Sequence, residues 1–188
     1  RVYYDGSWWN MDATHDITGT AEGKALYGFR KLDSAFAPDE DFFITKIKAS
    51  DLLMISTSQI ARYDENGNLQ GNQRKLDTKR ISLISNYIKS KEMCFPTSII
   101  IAANVNEKGI ILDEEDENRW KINEEDDDLC KITIPNKQEK TCVIIDGQHR
   151  LNAFEMLDDD YKNIELVCSV FFNLPNPYQA FLFATING

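Results

Sequence analysis

Residues 141–151 read TCVIIDGQHRL, and no other stretch narrows the fold of this chain as far. Positions 141–145 form a short apolar run of strand composition, ended by Asp146-Gly147, a pair that favours a turn. From Gln148 the period changes. Leu151, Phe154 and Leu157 recur at helical spacing, so 148–157 reads as a helix that buries those three side chains. Positions 164–172 then return to a strand pattern. Strand, tight turn, helix and strand in succession, with further strands inserted elsewhere, specify a mixed α/β fold.

The rest of the chain supplies those strands and helices. Residues 1–41 are aromatic and loop-like, with positions 1–4 as an edge strand, Asp5-Gly6 as a turn, and Trp8 and Trp9 as side chains that bury against a neighbouring surface. They form an N-terminal extension to a domain covering 42–188. Within that domain Phe43, Ile44, Ile47 and the apolar run 52–55 predict a strand followed by a short turn, and 64–68 (DENGN) a second turn. Residues 77–90 form an amphipathic helix capped by Asp77, with Ile81, Leu83, Ile84, Tyr87 and Ile88 on its buried side. The β-branched run 98–102 has the composition of a central strand. Short strands at 110–112, 120–122 and 131–134 flank the acidic stretches, and Asn176-Pro177 opens a last helix bearing Tyr178, Phe181, Leu182 and Ile186. With no initiator Met at its start and an apolar helical pattern running to its last residues, the chain is expected to be a piece of a longer protein.

Charge decides which partners are excluded. The net charge is −10, but residues 113–128 hold ten acids against Arg119 and Lys121, leaving 19 basic and 21 acidic residues elsewhere. That run is expected to be a solvated loop between two strands, with a cation site or a screen against nucleic acid as the sharper readings. It lacks the central glycine of an EF-hand loop. A body with no basic excess is a poor binder of bare DNA, because phosphate neutralisation needs a basic face. Cys94, Cys130, Cys142 and Cys168 are widely spaced and only His15 and His149 are available, so neither a zinc site nor a disulfide framework is indicated. Reduced thiols point to a cytoplasmic protein, and no apolar run is long enough to span a membrane.

The chemistry concentrates at 146–150. A helix start presents unpaired N–H groups to an anion, Gly147 allows both the turn and the close approach of a phosphate, and Arg150 can fork onto phosphate oxygens. His149 can donate a hydrogen bond or a proton near neutrality. Asp146 can cap the helix, orient His149 or Arg150, or hold a metal ion that accompanies a phosphate. The competing reading makes Asp146 a cap and leaves His149 and Arg150 in a surface network; spacing alone leaves both open. A second candidate is the entry of the 77–90 helix, where Arg74 and Arg80 flank Asp77 and could meet the same phosphate. Its competitor is an ordinary cap with an Asp77–Arg80 pair worth a few tenths of a kcal/mol. The sequence 19–24 (GTAEGK) fails as a P-loop because Thr18 stands where the first glycine is required.

At Val143-Ile144-Ile145-Asp146-Gly147-Gln148-His149-Arg150-Leu151 the chain resembles the DGQHR-domain family, whose DndB-type members belong to bacterial DNA phosphorothioate-modification loci. Gln73-Arg74-x-x-Asp77-x-x-Arg80, Phe95-Pro96-Thr97-Ser98-Ile99-Ile100 and Phe183-Ala184-Thr185-Ile186-Asn187 resemble further elements of that family, in the expected order over about 43–188. The resemblance implies a fold distantly similar to ParB and sulfiredoxin, with Gly147, Gln148, His149 and Arg150 at a nucleotide-phosphate cradle. It further implies a nucleoside triphosphate with Mg²⁺ as ligand, hydrolysis assisted by His149 and Asp146, and a role in a DNA-modification or defence locus. The partners it implies are other modification proteins, DNA reached through parts outside this chain, and a second copy of the chain. A DNA-binding transcriptional regulator and a non-catalytic scaffold are the alternatives.

Overall fold

The computed structural model describes residues 2–4, 7–11, 20–21, 24–25, 29–31, 42–59, 62–63, 69–70, 75–126, 129–135 and 138–187. The chain divides into two compact units, Arg1–Phe42 and Phe43–Gly188. The first holds β1 (Val2–Tyr4), β2 (Ser7–Met11), β3 (Thr20–Ala21), β4 (Lys24–Ala25) and β5 (Phe29–Lys31). β1 is the edge of an antiparallel β1-β2-β5 sheet, with Tyr3 opposite Trp8, and β3 pairs with β4. Where a loop-like stretch was expected there are paired strands, each too short for alternation to show in the sequence. The Asp5-Gly6 turn, His15 and the near-P-loop's first glycine lie outside the described residues.

The second unit runs β6 (Phe42–Lys48), α1 (Ala49–Ile55), β7 (Ser56–Thr57), β8 (Arg62–Tyr63), β9 (Leu69–Gln70), α2 (Thr78–Ile88), β10 (Ile99–Ala103), β11 (Lys121–Asp126), β12 (Leu129–Thr133) and β13 (Cys142–Asp146). It continues through α3 (Gln148–Asn152), a 3₁₀ turn (Ala153–Met156), α4 (Asp159–Lys162), β14 (Glu165–Phe172) and α5 (Asn176–Asn187). The main sheet has the order β6-β14-β10-β13-β7, with β10 parallel to β14, antiparallel to β13, and β13 parallel to β7. This is the mixed α/β fold expected, a mixed sheet with flanking helices.

Successive side chains of a strand point to opposite faces, and both faces of this sheet are covered. Cys142 and Ile144 of β13, Ile99, Ile101 and Ala103 of β10, and Cys168, Val170 and Phe172 of β14 enter one core with α1, α2 and the α3 segment. Val143 and Ile145 join Ala102, Val105 and Leu174 in a second core, against which Leu182 and Phe183 of α5 pack. Leu151, Phe154 and Leu157 are all buried, as their spacing required.

Residues 49–55 and the buried face of α2 differ from expectation, and the helix expected at 148–157 divides into α3 and a 3₁₀ turn. Residues 49–55 are helical rather than a strand and turn, with Ala49, Leu52 and Ile55 buried at three-residue spacing. The apolar run 52–55 hid that spacing, and Leu and Met favour a helix where β-branching does not forbid it. On α2, Ile81, Ser85 and Ile88 are buried, whereas Leu83 is 70% exposed and Tyr87 38% exposed. Tyr87 turns outward because its hydroxyl accepts from the Cys94 amide and donates to a carbonyl of Glu92 or Cys94. The turn expected at 64–68 lies outside the described residues, between the paired strands β8 and β9.

The acidic run is not a simple loop. Asp113, Glu114, Glu115 and Glu117 are exposed, but β11 carries the later acids into a hairpin with β12. Between them Trp120 is 3% exposed, its Nε1–H donating to Thr141 Oγ1 at 2.7 Å. Arg119 donates to Leu112 O and to Asn173 Oδ1, and Asn104 binds both Asn173 Oδ1 and the Trp120 amide. Asn104 and Asn173, at the ends of parallel strands β10 and β14, both have positive φ (62° and 55°), which asparagine tolerates better than most residues. Of the strand expected at 110–112, only a single bridge from Ile111 to Val105 is formed.

Candidate functional site

The turn between β13 and α3 is set by Gly147, whose φ of +97° lies in the left-handed region. A Cβ there would sit 2.5 Å from Ile99 Cδ1 and 3.1 Å from an Arg150 nitrogen, so glycine is needed for space as well as for conformation. Gly147 O accepts the Leu151 amide at 3.0 Å, starting α3, and no side chain caps that start. Asp146 therefore does not cap the helix. Its Oδ2 accepts from Arg150 at 3.0 Å, one turn on.

Arg150 is occupied on four sides. Nη1 donates to Thr97 O (2.5 Å) and Thr97 Oγ1 (2.7 Å), and Nη2 donates to Ser98 O and Asp146 Oδ2 (both 3.0 Å). The guanidinium thereby clips the turn to the entrance of β10, where Ser98 and Ser169 join β10 to β14 through their hydroxyls at 2.8 Å.

His149 connects α3 to α2. Its Nε2 accepts the backbone N–H of Asp77 at 3.0 Å, so the neutral ring carries its proton on Nδ1. Asp77 Oδ1 meanwhile accepts the amides of Lys79 and Arg80 as a helix cap. In a capping box the third helical residue reaches back to the cap's own amide. Arg80 holds that position and has no acceptor, and His149 takes the task from another element. Burial, and then the nearby Arg80 charge, lower the His149 pKa from its usual 6.5 against opposing pulls from Asp77 and Asp146.

That direction sets a pH dependence. A histidine whose folded pKa is depressed contributes fully above its unfolded value, and the contribution is lost as pH falls. The melting temperature is expected to decline as pH drops from about 6.5 toward 5. His149→Gln, whose Oε1 can accept the same amide without titrating, should flatten that decline. Equal slopes for the two proteins in thermal melts would remove His149 as its cause.

These residues share one cleft of about 340 Å³, lined by Arg80, Ile84, Thr97, residues 146–150, Phe183, Ile186 and Asn187. Six of the seven residues predicted from sequence thus meet; Arg74 lies outside the described residues. Arg80 is exposed, and among the described residues its guanidinium has no hydrogen-bond or ion-pair partner, the expected Asp77 pair included. Site reasoning at the motif missed Ile84, which was read only as a core residue of α2, and also Thr97, Phe183, Ile186 and Asn187. The signal for the last four lay in the two flanking segments of the family resemblance, which the fold brings to the motif.

Among the described residues no three His, Cys, Asp or Glu side chains gather as a metal site. Asp146 is the one carboxylate among the residues lining the cleft. One carboxylate suits only an ion that arrives on a ligand's phosphates and stays largely held by them and by water. No cysteine is among the residues lining the cleft, and burial pushes the Cys142 thiol up and the Cys168 thiol up to about 12.

Fold and cleft together define an α/β domain built around a glycine-turned strand end with the sequence Asp-Gly-Gln-His-Arg. Residues 40–174 match the family model of DndB, described as DNA-sulfur modification-associated. The chain belongs to the DndB family, and with it to the proteins associated with DNA sulfur modification. No curated protein and no solved structure matches it. Among the described residues no helix is long and apolar enough to cross a membrane.

Proposed function

We propose that the cleft binds the phosphates of a nucleoside triphosphate carrying Mg²⁺, as the ligand-binding module of a cytoplasmic DNA-modification protein. The observation that carries this reading is the composition of that cleft. Arg80, whose guanidinium has no hydrogen-bond or ion-pair partner among the described residues, offers hydrogen-bond donors and positive charge, while Phe183 and Ile186 offer apolar surface in the same space. A nucleotide has those two characters in one molecule. The volume falls within the usual range for small-ligand sites.

Hydrolysis makes further demands. His149 Nε2 already accepts from Asp77, so its lone pair is engaged in holding α2. Asp146 uses Oδ2 for Arg150, and Oδ1 is the atom that would accept from a water or take part in holding the Mg²⁺ that comes with the phosphates. Asp146 is the better placed of the two for any proton transfer.

The family's association with DNA sulfur modification makes DNA a candidate partner, and a second reading is that the protein is a DNA-binding regulator of the modification genes. The charge balance opposes unaided DNA binding by this chain. Calorimetric titration with MgATP, MgCTP and a short duplex separates these readings. Nucleotide binding should raise the melting temperature by about 5–10 °C at one hundred times the dissociation constant. Duplex binding that weakens steeply with salt supports the regulator, and binding of neither leaves a scaffold in the modification complex.

A further inference from the structure

We propose that Arg80 on α2 is the cation that meets the ligand's phosphates, and that Arg150, within the DGQHR sequence itself, is a positioning residue that shapes the cleft without touching ligand. The inference rests on the nucleotide reading above and assigns the work within it. Both arginines line the cleft, yet their states differ. The Arg150 side chain is 16% exposed and gives hydrogen bonds to four protein oxygens. Turning it toward a phosphate would strip Thr97 O, Ser98 O and Asp146 of their donors at once.

Arg80 has no such ties. Its natural partner, Asp77, is turned onto the amides of Lys79 and Arg80. The first turn of α2 holds two cations, Lys79 and Arg80, against the single carboxylate of its Asp77 cap. That is the end of a helix where the macrodipole disfavours positive charge, and a bound anion reverses the penalty. Arg80 lines the cleft together with residues 146–150, so its charge faces the space a phosphate would enter.

The test uses the full chain, with MgATP and inorganic triphosphate as probes. Arg80→Ala should keep the melting temperature within about 2 °C of the parent, since alanine suits an exposed helical position. It should weaken both probes about ten- to hundred-fold, the range for one lost charged hydrogen bond. Arg80→Lys should recover part of that loss. Arg150→Lys should lower the melting temperature, and below its transition should bind inorganic triphosphate within about threefold of the parent. Parental affinity in Arg80→Ala, or a fall in its melting temperature that parallels the loss of binding, overturns the assignment while leaving the nucleotide reading intact. A parent protein that binds neither probe overturns both.

Discussion

Gly147→Ala is expected to destabilise the protein by about 3 kcal/mol and to lower its melting temperature by about 6–12 °C. Two costs combine. The φ of +97° carries the left-handed penalty of about 1–2 kcal/mol for a residue with a Cβ. The added methyl would also lie 2.5 Å from Ile99 Cδ1, and Ile99 is 2% exposed in the main core, so it cannot swing into solvent. The second cost can be isolated. Valine at 99 lacks Cδ1, and Ile99→Val alone should cost about 1 kcal/mol. If the clash is real, Gly147→Ala combined with Ile99→Val will be less destabilised than the sum of the single variants. Additive effects in urea unfolding would show that the penalty is conformational alone.

Arg150→Ala should be the other large effect, about 2–3 kcal/mol at neutral pH. The ion pair with Asp146 is one of four contacts that the guanidinium makes. Most of the loss comes from Thr97 O, Thr97 Oγ1 and Ser98 O, which lose a charged donor held in fixed geometry. Arg150→Lys should restore less than half, since one ammonium cannot reach acceptors spread around a planar fork. A double-mutant cycle with Thr97→Val should give a coupling near 1 kcal/mol. A coupling of zero would mean that the clip between the turn and β10 has no energetic weight.

The extent to which such features can be read from sequence varies with how local they are. The strand 142–146, the turn at Gly147 and the inward residues Leu151, Phe154 and Leu157 were legible because composition and period change within a few positions. Asp77 was legible as a cap for the same reason. The acceptors of Arg150 were not, because Thr97 and Ser98 lie 53 and 52 residues away; a sequence shows what an arginine can donate but not what it meets. His149 was visible as a titrating group, while its bond to the Asp77 amide spans 72 positions. Leu83 was misplaced because α2 carries more apolar residues than one face can bury. The part of α5 that lines the cleft gave no clear facial signal, since that helix is apolar on most sides and leaves Tyr178, Phe181 and Ile186 exposed.

The fastening of Arg119 and Trp120 onto Asn104, Asn173 and Thr141 has a consequence for how this molecule can vary. The anchor is built from an arginine, an indole, two asparagines and a threonine, and among the described residues no hydrogen bond joins it to the exposed carboxylates at 113–115 and 117. Evolution can therefore repaint that rim, changing its sign or thinning its charge to suit a new companion molecule, while the scaffold beneath keeps its shape.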